Sequence, residues 1–145
     1  MKAARRTTRP ATVPMGTEPT RAVSVLVVED NEINQALVTA MLAPLRHVVD
    51  VVTDGHEAVA AAQRTAYDIV LMDINMPNMD GVEATRLIRS SGGALASVPI
   101  IAVTANAMAG DREHYLAAGL TDYLSKPIDR RQLIETIDKW TGGVA

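Results

Sequence analysis

Four short apolar runs divide the chain: VSVLVV (Val23–Val28), VVDVV (Val48–Val52), DIVLM (Asp68–Met72) and PIIAV (Pro99–Val103). Three of them are nearly continuous rather than alternating, which is the pattern of strands covered on both faces. The segments between them carry helical spacing instead. Ile33, Leu37 and Met41 recur in the first, Val59 and Ala62 in the second, and Val82, Leu87 and Ile88 in the third. A fourth segment, Gly110 to Ala118, precedes a short strand at Tyr123 and Leu124, and Leu133, Ile137 and Trp140 line one side of a fifth helix. Strands and helices that alternate in this way predict an α/β fold, a parallel sheet with helices on both faces.

Breakers set the boundaries. Asp54-Gly55 opens the second helix and Gly92-Gly93 ends the third. Gly119 follows the fourth, Gly142-Gly143 closes the fifth, and Pro44 terminates the first. The loop SSGGALAS (residues 90–97) is small and Gly-rich, and it is expected to be mobile. No internal repeat, Walker loop or G-x-G-x-x-G is present, so nucleotide binding of those kinds has no support.

Composition adds a boundary at the N-terminus. Residues 1–21 hold five Lys/Arg, one acid and three prolines, with almost nothing to bury, so they read as a disordered basic tail or linker ahead of a single domain at 22–145. The tail carries a net +4, which leaves −7 of the chain's net −3 on the domain. An acidic domain is not expected to bind nucleic acid directly. The chain has no cysteine, which excludes disulfides and thiolate chemistry and fits a cytoplasmic setting. No apolar run reaches the roughly 18 residues of a membrane span.

In an open parallel sheet, ligands gather outside the carboxyl ends of the strands. Those ends carry Glu29 and Asp30, then Asp73, then Thr104, then Lys126 followed by Pro127. Carboxylates brought this close repel one another and need a cation. Oxygen ligands without His or Cys favour a hard divalent ion, Mg²⁺. Asp73, from the middle of the sheet, is the candidate nucleophile toward phosphorus. Lys126 would pair with phosphoryl oxygens and Thr104 would donate a hydrogen bond to one of them. Pro77 and Gly81 would shape the loop above.

Plainer readings compete at several positions. Asp30 or Asn31 could simply cap the first helix, and Asp80-Gly81 reads as a turn and cap. Tyr123 could be no more than a half-buried strand residue. His47, His56 and His114 are scattered over separate elements, Met72, Met76, Met79 and Met108 suit gap filling, and Trp140 suits core packing.

The set VVEDN (27–31), LMDINMPNMDG (71–81), VTANAM (103–108) and DYLSKPI (122–128) resembles the receiver domain of two-component response regulators. The EDNEINQ run at Glu29–Gln35 is most similar to receivers of hybrid histidine kinases, and the match spans residues 23–140. The resemblance implies a flavodoxin-like, doubly wound five-stranded parallel sheet of order 2-1-3-4-5. It implies a phosphoacceptor in phosphorelay signalling rather than an enzyme, with slow autodephosphorylation. Asp73 would take phosphate from a histidine kinase or histidine phosphotransfer protein. Mg²⁺ would be held by Asp30, Asp73 and the backbone carbonyl of Asn75, with Glu29 acting through water. Thr104 and Tyr123 would form a switch pair that reshapes the surface of the fourth helix, fifth strand and fifth helix. Asn75 and Asn106 would tune the phosphoryl lifetime, and Lys126-Pro127 would be cis.

A monomer is expected, and the tail favours a receiver taken from a longer hybrid kinase over one that stands alone. Two other functions compete: a phosphorylation-independent docking domain, and a haloacid-dehalogenase-like phosphatase. The phosphatase needs a second acid two residues past its nucleophile, where this chain has Asn75.

Overall fold

The computed structural model describes residues 5–7, 23–45, 47–76, 79–105 and 109–142. Pro77, Asn106, Met108 and Gly143 lie outside the described residues, as does most of the 1–21 tail. The described strands are β1 (Arg5–Thr7), β2 (Ser24–Val28), β3 (Val48–Val52), β4 (Ile69–Asp73), β5 (Ile100–Thr104) and β6 (Asp122–Ser125). The α-helices are α1 (Glu32–Leu42), α2 (Gly55–Arg64), α3 (Gly81–Ser90), α4 (Ala109–Ala117) and α5 (Arg130–Thr141).

The order β3-β2-β4-β5-β6, parallel throughout, is the expected 2-1-3-4-5 arrangement. β1 was not anticipated. It pairs antiparallel with the outer edge of β3, with Arg5 opposite Val51 and Thr7 opposite Val49. To that extent three residues of the tail are ordered as an edge strand. The bare edge of β3 offers a row of unpaired backbone groups, and backbone pairing requires no buried side chain, so composition carries no sign of it.

Strand alternation divides the core into two layers. Leu26, Val28, Val70, Met72, Ile100 and Ala102 pack against Ala58, Ala61, Ala84, Ile88 and Tyr115 from α2, α3 and α4, and against Ala118 just past α4. Val25, Val27, Ile69, Leu71, Ile101 and Val103 pack against Val38 and Leu42 of α1 and Leu133 and Ile137 of α5. β4 and β5 are buried along their whole length, as their unbroken apolar runs require.

Helix starts follow the polar residues ahead of them. Asn31, Asp54, Asp80 and Asp129 accept hydrogen bonds from the first free backbone N–H groups of α1, α2, α3 and α5. The α1 stripe differs from expectation. Gln35, Val38 and Leu42 face the core, whereas Ile33 is 78 % and Leu37 42 % exposed. Two apolar stripes share this helix, and spacing alone does not say which one meets the sheet.

The 90–97 loop is also better held than its composition suggests. Residues Gly93–Ala96 form a 3₁₀ turn, entered through Gly92 and Gly93 at φ of +76° and +61°. The Arg89 guanidinium donates to Val98 O at 2.6 Å, Leu95 O at 3.1 Å and Gly119 O at 2.8 and 3.0 Å. One side chain therefore joins α3, the turn before β5 and the loop before β6. Arg89→Ala leaves these carbonyls without their charged donor. It is expected to cost about 2–3 kcal/mol in urea unfolding, with faster amide exchange confined to residues 93–98 and 119–121.

Candidate functional site

Extended hydrogen-bond ladders fix the backbone just past the strands. Glu29 N donates to Val52 O at 3.1 Å, Ile74 N to Val103 O at 3.1 Å, and Lys126 N to Thr104 O at 2.8 Å. Glu29, Asp73, Thr104 and Lys126 are thus set by the sheet itself. The peptide after Lys126 is cis, as the resemblance implied.

Asp73 lies at the end of β4 and is only 1 % exposed. Its Oδ1 accepts from Lys126 Nζ at 3.0 Å and from Asn75 N at 3.1 Å. Its Oδ2 is buried and has no hydrogen-bond partner among the described residues. Lys126 also reaches Glu29 Oε1 at 3.6 Å. Burial works against the ammonium charge, but the bonds and charges of Asp73 and Glu29 outweigh it and hold Lys126 above its ordinary range.

Glu29, Asp30 and Asp73 each offer an oxygen within 4.8 Å of the other two. At that separation, each fully ionised pair repels by about 3.5 kcal/mol at an effective dielectric of 20. One ammonium does not neutralise three carboxylates. Burial, and then the charge of Asp73, push Glu29 up to about 7 from 4.5. Asn31, not Asp30, caps α1, through bonds from Ile33 N and Asn34 N at 2.9 and 3.1 Å. Asp30 is exposed and stays in the cluster. Asp80, by contrast, is a cap, accepting from Glu83 N at 2.8 Å.

Gly81 completes the floor of the site. A Cβ there would lie 2.4 Å from Asp73 O and 2.9 Å from Met72 Cγ, so only glycine lets α3 start against the end of β4. Gly81 N donates to Ile74 O at 3.2 Å and closes the loop that presents the exposed Asn75.

Thr104 is fully buried at the end of β5, and its Oγ1 lies 3.1 Å from the hydroxyl of Tyr115 on α4. Tyr115 was missed in the sequence reading. The aromatic that follows the polar run Arg112–His114 was its one visible signal. Tyr123 is half-buried, opposite Ala102 in register, and packs in the α2–α4 layer toward which alternation also directs Thr104. His47, one of the scattered histidines, is buried and accepts from Val23 N at 3.2 Å. Trp140 is partly buried against the α1–α5 layer and donates to Asp122 Oδ2 at 2.9 Å.

The response regulator receiver domain model matches residues 25–138 of this chain. The chain belongs to the response regulator receiver family. Over 124 residues this receiver domain is 46% identical to the sensor protein GacS of Pseudomonas syringae pv. syringae, a match covering 84% of the chain and 14% of that protein. The chain thus spans about one seventh of the length of such relatives. It is similar, at 47% identity and a TM-score of 0.77, to the receiver domain of the sensor histidine kinase PA1611 from Pseudomonas aeruginosa, whose crystal structure has a magnesium ion coordinated in the active site cleft. That match covers 84% of this chain and 99% of the other. The receiver domain of Saccharomyces cerevisiae Ssk1, co-crystallised with the histidine phosphotransfer protein Ypd1, shares 31% identity at a TM-score of 0.77, covering 87% and 92%. The chain is a receiver of the type carried by hybrid histidine kinases, and no helix among its described residues is long and apolar enough to cross a membrane.

The raised Glu29 sets a pH dependence of stability. Folded, the carboxyl binds its proton more tightly than in the unfolded chain, so stability is highest below 4.5 for this group and falls as pH rises through about 7. In metal-free buffer the loss is expected to reach about 2–3 kcal/mol, read from urea midpoints between pH 5 and 8. Glu29→Gln is expected to flatten that slope.

Proposed function

We propose that Asp73 is the phosphoacceptor of this receiver domain and that Mg²⁺ binds beside it. The observation that carries this reading is the buried Asp73 carboxylate, which has one oxygen held by Lys126 and the other without a hydrogen-bond partner among the described residues, next to two further acids. The residues suit a hard divalent ion: all donors are oxygens, the carboxylates outnumber the one ammonium, and Glu29 is driven toward its neutral form when no cation is there. Asp30, Asp73 and the carbonyl of Asn75 would hold the ion, with Glu29 acting through water. Bound there, it supplies positive charge that offsets the carboxylates and the incoming phosphoryl oxygens.

An Asp73 oxygen bonds to phosphorus while the phosphorus–nitrogen bond of a partner's phosphohistidine breaks, and the imidazole leaves with the electron pair. Lys126 Nζ passes from Asp73 Oδ1 to a phosphoryl oxygen, and the Thr104 hydroxyl donates to another. Water later hydrolyses the acyl phosphate, returning Asp73 and releasing phosphate. Thr104 and Tyr123 then act as the switch pair, reshaping the surface of α4, β6 and α5. The chain works in the cytoplasm as a monomer, as an acceptor rather than a turnover enzyme.

The donor is a histidine on a kinase or phosphotransfer domain, and the exposed face of α1 is its dock. Ile33 and Leu37 stand one turn apart on the helix that begins two residues after Asp30, so a partner helix seated there brings its histidine to Asp73. The complex of the similar Ssk1 receiver with Ypd1 supports a phosphotransfer protein as the partner class.

Acetyl phosphate with Mg²⁺ is expected to add one phosphoryl group to the parent by intact mass and none to Asp73→Asn. Labelling of the variant at the parent's level, or steady turnover of a small phosphate ester, would overturn the assignment. Ile33→Glu is expected to slow transfer from a phosphorylated histidine phosphotransfer protein by about tenfold or more, while acetyl phosphate labelling stays at the parent rate.

A further inference from the structure

The hydroxyl pair of Thr104 and Tyr115 is not explained by packing alone. The geometry points to Tyr115 as a latch that holds Thr104 in its resting orientation, so that phosphoryl binding at Asp73 must break a hydroxyl bond to α4. This inference rests on Asp73 being the phosphoacceptor and names a further residue that controls that site.

Strand alternation carries the first step. Ile100 and Ala102 face the layer of α2, α3 and α4, and Thr104, two residues on, is directed the same way. Ile69 and Leu71 face the opposite layer, and Asp73 follows them in phase. Among the described residues, Asp73 takes its hydrogen bonds from Asn75 N and Lys126 Nζ, not from Thr104. The resting Thr104 hydroxyl is instead engaged by Tyr115 at 3.1 Å in a buried contact.

Hydrogen-bond chemistry carries the second step. A phosphoryl oxygen only accepts, so Thr104 must spend its single proton there and turn its Oγ1 across the strand end. Whichever hydroxyl donates at rest, that turn withdraws Thr104 from Tyr115. The new bond goes to an anion and is roughly twice as strong as one between two neutral hydroxyls, so the exchange runs toward the phosphoryl group.

The Tyr115 ring has somewhere to go. It borders an open groove of about 680 Å³ that runs along Asn75 and Met76 toward Arg86. Release of the latch therefore loosens α4 from the end of β5 next to the loop that carries Asn75. Tyr115 is a positioning residue in this scheme, since it acts through Thr104 and touches no phosphate.

Tyr115→Phe keeps the ring and its packing and removes only the hydroxyl. With Mg²⁺ present, beryllofluoride titration of the whole chain, followed by amide NMR, is expected to show binding about threefold to tenfold tighter than in the parent. Mg²⁺ affinity is expected to stay unchanged. The same substitution in a Thr104→Ala background is expected to have no effect on beryllofluoride affinity, an outcome that a loss of packing would not produce. A parent that responds to beryllofluoride while Tyr115→Phe binds equally or more weakly overturns the latch alone, as does an equal gain in the Thr104→Ala background. A parent that shows no response overturns the phosphoacceptor assignment, and the latch with it.

Discussion

A carboxylate that is 1 % exposed at the end of a wholly buried strand has to be matched by positive charge, and much of this site answers that need. Lys126 meets one oxygen of Asp73 from the last strand of the sheet. It cannot also neutralise Glu29 and Asp30, which the first parallel strand delivers to the same place. Burial, and then the charge of Asp73, raise Glu29, and the surplus of carboxylates over the one ammonium suits the divalent cation proposed for this site. Burial serves the same end, because each of these interactions is stronger out of water. Stability and chemistry therefore pull against each other at Glu29, as they often do where a fold stores a reactive group.

The scaffold tolerates that tension because the site residues stand on strands rather than on loops. Backbone bonds from Glu29, Ile74 and Lys126 to neighbouring strands run past the strand ends and leave the side chains little freedom. The β4–α3 loop is the part able to adapt, and it is held at its far end by the close approach of Gly81 to Asp73. At the opposite end of the strands, Arg89 ties α3 to the loops before β5 and β6. Between these fixed points, α4 is joined to the site through Tyr115 and Thr104. A rigid sheet with one hydroxyl-linked helix is a suitable arrangement for sending a local charge change to a distant surface.

Most of the site was legible in linear order. A parallel sheet brings the carboxyl ends of its strands together, so the residues after each apolar run, Glu29, Asp30, Asp73, Thr104 and Lys126, could be gathered without coordinates. Caps were legible too, at Asp54 and Asp80. What escaped depends on rotation and on long-range partners. Ile33 and Leu37 make as good a stripe as Val38 and Leu42, and only docking against the sheet chose between them. Arg89 gives no sign of its role in the linear chain, because its acceptors are carbonyls, which sequence does not distinguish.

The sequence by itself determined the number of parallel strands and the oxygen-rich chemistry at their ends, because period and strand-end position are local properties of the chain, whereas the strand order followed from the family resemblance alone. Only the tertiary structure decided that Lys126 closes on Asp73, that Asn31 rather than Asp30 caps α1, that Arg5–Thr7 pairs with the edge of β3, and that Thr104 rests against Tyr115. Those outcomes turn on which side chains and backbone groups come within hydrogen-bond distance after the layers pack, and that distance is set by the whole fold rather than by any one segment.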